Sequence, residues 1–207
     1  HERGMEERRL SAERASLGSQ DDSKNEDPTY VLRSRQWGEY SKLCLELRLR
    51  PNTAVKTALR PVEQQEYGAE LSEIQDESRS IHEYDFAGIY LGDRQIQPLA
   101  SALAVDRQIL ALLLPGCGFM DAGMTGLCEQ LKRSPSLECL DVSSNRFSIG
   151  GAEAALRLVN GAQRLVLLKT KDTCLDEDFC NKRGLPAKYA AVRKEIQSTL
   201  TERAFSL

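Results

Sequence analysis

"CLDVSSNRFSIGG", Cys139 to Gly151, alternates apolar and polar side chains through Leu140 and Val142, breaks at Asn145, and reaches Gly150 and Gly151. Alternation with a period of two is a strand with one buried side. The asparagine marks a corner where backbone groups leaving the strand need a small polar partner, and the glycines open a helix. Such a compact unit defines a fold only where it recurs.

It recurs without a gap. "ILALLLPGCGFMDAGMTGL" (Ile109 to Leu127) lies over "LECLDVSSNRFSIGGAEAA" (Leu137 to Ala155) at a step of 137 − 109 = 28 residues. Ile109, Leu112, Leu114, Cys117, Phe119 and Gly123 fall on Leu137, Leu140, Val142, Asn145, Phe147 and Gly151. One further step places Leu165, Leu168, Thr170, Thr173 and Leu175 at equivalent positions. Backward, "FAGIYLGDRQIQPLASAL" supplies Phe86, Ile89, Leu91 and Ile96 at the shorter step 109 − 86 = 23, with Arg94 at the corner. Between strands, "DAGMTGLCEQLKRS" carries Met124, Leu127, Cys128 and Leu131 at helical spacing, and Asn160–Gly161 reads as a helix stop.

The spacing L-x-x-L-x-L-x-x-N/C-x-L, three times aligned, resembles the leucine-rich repeat, and its 28-residue step is similar to the ribonuclease-inhibitor-like class. The resemblance covers about Phe86 to Phe179 and implies an α/β fold: a short solenoid of about four turns, parallel strands backed by helices, with helical N- and C-terminal flanks. It implies no reaction.

The remainder divides by charge. Residues 1–29 form a polar arm with no periodic apolar face, expected to need a partner for order. Residues 30–60 form a basic helical module: Val31 to Arg60 holds seven Arg or Lys against two Glu. In it Trp37, Tyr40, Leu43, Cys44 and Leu47 mark one helical face ending at Pro51. Tyr40, Cys44, Pro51, Asn52, Val55 and Leu59 are similar to a short helical element that precedes the repeats in some centrosomal and ciliary leucine-rich-repeat proteins. Residues 61–85 read as an acidic linker, with eight acids against one arginine from Val62 to Asp85. Residues 86–179 form the repeat domain. Residues 180–207 supply a capping helix, with Tyr189, Val192, Ile196 and Leu200 on one stripe.

With 41% hydrophobic residues the chain can build a core. No apolar run approaches the roughly 18 residues of a membrane span, and "HERGMEERRL" lacks the apolar core of a secretion signal. The six cysteines form no CxxC pair and read as reduced, buried small hydrophobes in a cytoplasmic protein. A net charge of −3, with no basic stripe interleaved with aromatics, argues against nucleic acid. The two histidines, His1 and His82, stand near no Ser, Cys and acid constellation, and no phosphate-cradling or dinucleotide fingerprint occurs. We therefore expect no enzyme activity, no cofactor and no metal.

The expected function is a protein–protein interaction scaffold, a structural subunit of a large assembly such as a ciliary or flagellar axoneme or basal body, with microtubule-associated complexes among its settings. Two alternatives stay open: an inhibitor clamping one globular partner, and an adaptor or activator of a small GTPase. In the register above, Tyr90, Leu113, Cys139 and Leu167 form an apolar row on the concave side. Asp93, Asp141, Lys169 and Lys171 flank it with charge that changes sign along the arc, and together these eight residues are the expected partner-binding face.

Overall fold

The structure, a computed structural model, describes residues 28–59, 82–104, 106–132 and 134–205. Most of the polar arm and of the acidic linker therefore lies outside the described residues. The described chain is α/β, with seven helices and four short strands in a single parallel sheet of order β1-β2-β3-β4. In chain order these are α1 (Pro28–Glu46), α2 (Thr53–Ala58), β1 (Glu83–Asp85), α3 (Gly92–Leu103), β2 (Ala111–Leu113) and α4 (Asp121–Leu131). There follow β3 (Cys139–Asp141), α5 (Ile149–Gly161), β4 (Leu167–Lys169), α6 (Glu177–Arg183) and α7 (Ala187–Ala204).

The register is uniform. Tyr84 pairs with Leu112, Leu112 with Leu140, and Leu140 with Leu168. Each step is thus 28 residues, including the first, where the sequence reading set a step of 23. Tyr84 and Phe86 stand where Leu112 and Leu114 stand in the next turn, and Ile89, not Arg94, occupies the corner. The sheet begins at Glu83, inside the stretch read as acidic linker, so the boundary drawn at residue 86 falls within the first turn.

The same period governs the interior. Ile96, Leu99 and Leu103 of α3 recur as Met124, Leu127 and Leu131 of α4 and as Ala152, Ala155 and Val159 of α5, all of them buried. They join Tyr84, Leu112 and Leu140 of the strands in one continuous core. Leu168 of β4 is only partly buried against that core, as befits the edge strand of the described sheet. Beyond it, α7 packs on α5, burying Ile196, while Arg203 Nη1 donates to the carbonyls of Ala162 and Leu165 at 2.8 and 3.3 Å.

Each strand is left through a left-handed residue: Gly88 (φ 70°), Gly116 (φ 67°), Ser144 (φ 57°) and Asp172 (φ 58°), again 28 apart. Glycine adopts this conformation freely and other residues rarely, so the glycines of the first two turns and the short polar residues of the last two answer one demand.

At the N-terminal side α1 starts on a proline, favoured in a first helical turn, and packs against α3. Tyr40 and Cys44 are buried as the helical face requires, but Leu47 is 48% exposed. The helix stops at Glu46, with Arg48 left-handed, so Leu49 instead of Leu47 turns inward. Asn52 caps α2 by accepting from the Ala54 N–H at 3.0 Å, and Val55 and Leu59 enter the core.

Candidate partner-binding face

The face of the sheet turned away from the helices carries two rows of side chains. Strand pairing sets Glu83, Ala111, Cys139 and Leu167 side by side, and Asp85, Leu113, Asp141 and Lys169 likewise. Just beyond the strands Ala87, Pro115, Ser143 and Lys171 continue at the same interval, tied by the Gly88 N–H to Pro115, the Gly116 N–H to Ser143 and the Ser144 N–H to Lys171. Ala111, Leu113 and Cys139 are half-buried, and Leu167 is 45% exposed. The face is acidic at β1, apolar through β2 and β3 apart from Asp141, and basic at β4. Among the described residues no ion pair involves Glu83, Asp85, Asp141, Lys169 or Lys171.

Six of the eight expected residues thus lie on this face: Leu113, Cys139, Asp141, Leu167, Lys169 and Lys171. Their grouping changes, since Leu113 stands beside Asp141 and not beside Cys139. Tyr90 and Asp93 do not belong to it, because both follow from the five-residue slip in the first turn. Tyr90 lies in the loop after β1, 74% exposed, its ring against Gly118, where a Cβ would come within 2.3 Å of it. Glu83 and Asp85 hold the places assigned to them. An ungapped alignment at 28 residues would have found both; an isoleucine at the corner and an acidic neighbourhood hid the match.

Asp93 does structural work. α4 has no capping side chain of its own. Asp93 Oδ1, from the preceding helix, accepts from the Met120 and Gly123 N–H groups at 2.6 and 2.9 Å. One turn on, Asp121 does the same for α5, accepting from the N–H groups of Ser148 and Gly151 at 2.6 and 2.8 Å and from the Ser148 hydroxyl. Unpaired N–H groups at a helix start favour a carboxylate there. Burial pushes the Asp121 carboxyl up, but the Ser148 and Gly151 hydrogen bonds outweigh it and leave the pKa below the ordinary carboxylate value. The glycine is needed for close approach: a Cβ on Gly151 would sit 2.5 Å from that of Phe147.

The corners of the second and third turns fasten each to the one before it. Asn145 Nδ2 donates to the carbonyls of Leu114, Val142 and Ser143 at 2.8, 3.0 and 3.1 Å, and its Oδ1 accepts from the Gly118 N–H at 2.9 Å. Cys117 Sγ donates to the Phe86 carbonyl at 3.3 Å, the homologous bond one turn earlier. Ile89 offers nothing of the kind. The first turn is tied down from α1: the Arg33 guanidinium lies 3.7 Å from the centre of the Tyr84 ring and donates to the Glu83 carbonyl at 3.1 Å. Gln36 Nε2 donates to the Tyr84 hydroxyl at 2.5 Å, and that hydroxyl donates to Asp106 Oδ2 at 2.7 Å. His82 Nδ1 lies 3.0 Å from the same carboxylate oxygen. Burial pushes the Tyr84 phenol up and the Arg33 guanidinium down from their ordinary values. Asn52 Nδ2 donates to the Tyr90 carbonyl at 3.1 Å, which fixes α2 to the loop after β1.

None of the six cysteines forms a disulfide, and burial pushes each thiol above its ordinary pKa, Cys117 and Cys174 to about 12. Cys139 is the most exposed of them, and the other five are buried. It stands in the middle of the open face, where burial raises its pKa first, Lys169 lowers it, and Asp141 and Glu83 raise it. Among the described residues no helix is long and apolar enough to cross a membrane.

The chain matches no family model and no curated protein. Among solved structures it is similar to the leiomodin-1 actin-binding site 2, at 12% identity over 88% of this chain and 94% of that one, with a TM-score of 0.46. A likeness of that size supports neither a residue correspondence nor a shared partner.

Proposed function

We propose that the chain is a short leucine-rich-repeat solenoid of the ribonuclease-inhibitor-like class and that it binds a protein partner on the open face of its sheet. The observation that carries this reading is the face itself. Apolar Leu113, Cys139 and Leu167 stand among five charged side chains that make no ion pair within the described chain. Apolar surface ringed by unspent charge favours association, because both terms gain when a complementary surface arrives.

The chain acts by binding, not by catalysis: thiols held above their ordinary pKa are poor nucleophiles at neutral pH, and the buried polar cluster around Tyr84 is occupied in fixing the first turn. Four strands span only about 14 Å at some 4.8 Å per step, too short an arc to wrap a globular partner, which favours a scaffold subunit over a clamping inhibitor or a GTPase adaptor. The finer setting, a ciliary or flagellar complex associated with microtubules, rests on the short repeats, the long polar flanks and the resemblance of the Tyr40 to Leu59 module.

The test is a tagged full chain recovered from cells beside Leu113→Asp. The proteins retained by the native chain should be lost from the variant while its circular dichroism stays native. Equal retention by both would move the binding site off the sheet. Fluorescence of the same tagged chain spread evenly through the cell would remove the ciliary setting and leave the binding reading intact.

A further inference from the structure

Resting on the open-face reading, the rows of charge carry information about what binds there. Glu83 and Asp85 make one edge doubly acidic, Lys169 and Lys171 make the other doubly basic, and between them lie Ala111, Leu113, Pro115 and Cys139. Asp141 is the one charge in the interior. Its Oδ1 accepts from the Ser143 N–H at 2.9 Å, as Asp85 Oδ1 accepts from the Ala87 N–H at 2.8 Å. These carboxylates are thereby held in place, each with its second oxygen making no hydrogen bond or ion pair among the described residues.

We infer that the partner element is a polarised peptide segment lying across the strands, with a basic end over β1, a middle over β2 and β3 that is apolar except for one cation set against Asp141, and an acidic end over β4. The reverse orientation would set acid on Glu83 and Asp85 and base on Lys169 and Lys171. Like charges brought together on partial desolvation are strongly unfavourable, so the arrangement selects one direction of docking. The span of about 14 Å corresponds to about ten residues of helix or four to five of extended chain. A short linear segment of a larger protein is therefore sufficient to fill the face.

The experiment uses a display library of random twelve-residue peptides selected on the full chain, with Leu113→Asp as the counter-selection. Peptides that bind the native chain and not Leu113→Asp should carry Lys or Arg at one end, a middle that is apolar except for one cation, and Asp or Glu at the other end, in a consistent order. Selection on Lys169→Glu/Lys171→Glu should return peptides basic at both ends, and on Glu83→Lys/Asp85→Lys peptides acidic at both ends. A peptide from the native selection should bind either charge-reversed chain at least about tenfold more weakly. Enriched peptides that lack charge order, or that bind the reversed chains equally well, would overturn the polarity and leave the binding face standing. A selection yielding no peptide sensitive to Leu113→Asp would overturn both.

Discussion

The first and third turns of the sheet solve the same problem by different means. In the third, one residue closes the corner: Asn145 meets three carbonyls and one N–H, reaching into the turn before it. In the first, Ile89 leaves the corner without such a group, and the turn is instead tied at its strand, where Arg33 of α1 donates to the Glu83 carbonyl and Gln36 to the Tyr84 hydroxyl, which donates to Asp106. An interior turn borrows a neighbour on each side, whereas a terminal turn has one neighbour and needs another element as the second. The basic helical module is thus the missing neighbour of the first turn. It differs from a repeat in sequence because it performs a repeat's packing without a repeat's strand.

The contrast can be broken most forcefully in the core. Leu140→Ala should cost about 2–5 kcal/mol in denaturant unfolding, from lost burial plus a residual cavity, while Leu168→Ala, half-buried at the end of the sheet, should cost less than half as much. Equal costs would mean that the end strand is as enclosed as the middle one.

Next in size is the corner. Asn145→Ala strands buried carbonyls and the Gly118 N–H and should cost about 1–3 kcal/mol; Ile89→Ala, which removes only part-buried apolar surface, should cost less. If the two are indistinguishable, the asparagine bonds are not what fastens the third turn.

Tyr84→Phe examines the other side of the comparison. It deletes the hydroxyl shared by Gln36 and Asp106 at a cost of about 1–2 kcal/mol, and it should loosen α1, read as faster amide exchange in Tyr40 to Glu46. Unaltered exchange there would show that apolar contacts alone hold the module.

Much of this was legible in the sequence. Turns two to four appear in register because Leu112, Leu140 and Leu168 repeat at a constant interval and because Asn145, Cys117 and Thr173 are small and polar at the corner. The first turn was misread by five residues for a physical reason: its strand, Glu83–Asp85, carries acids on the open face and a tyrosine inward, so it lacks the leucine signature, and its corner lacks the polar one. The buried side of α1 was half visible. Tyr40 and Cys44 follow from helical spacing, but a buried Arg33 and Gln36 are intelligible only once Tyr84 is known to lie opposite. The aspartate caps were invisible for a related reason, since Asp93 and Asp121 serve the helix that follows and not their own.

The smallest effect concerns those caps. Asp121→Ala should cost about 1 kcal/mol near neutral pH, in the range of a lost helix cap. A carboxylate whose folded pKa lies below its unfolded one stabilises above the unfolded value, near 4, and loses that contribution as pH falls through the folded value. The gap between native chain and variant should therefore close below about pH 4. A gap independent of pH would assign the loss to packing.

The direct test of the open face is the reactivity of Cys139, the most exposed of the six thiols. In the free chain, N-ethylmaleimide followed by peptide mass mapping should modify Cys139 well before Cys44, Cys117, Cys128, Cys174 or Cys180. In the complex recovered from cells, labelling of Cys139 should slow at least about tenfold, and prior modification with a bulky maleimide should block recovery of the partner. A complex that forms with Cys139 as reactive as in the free chain would place the partner elsewhere.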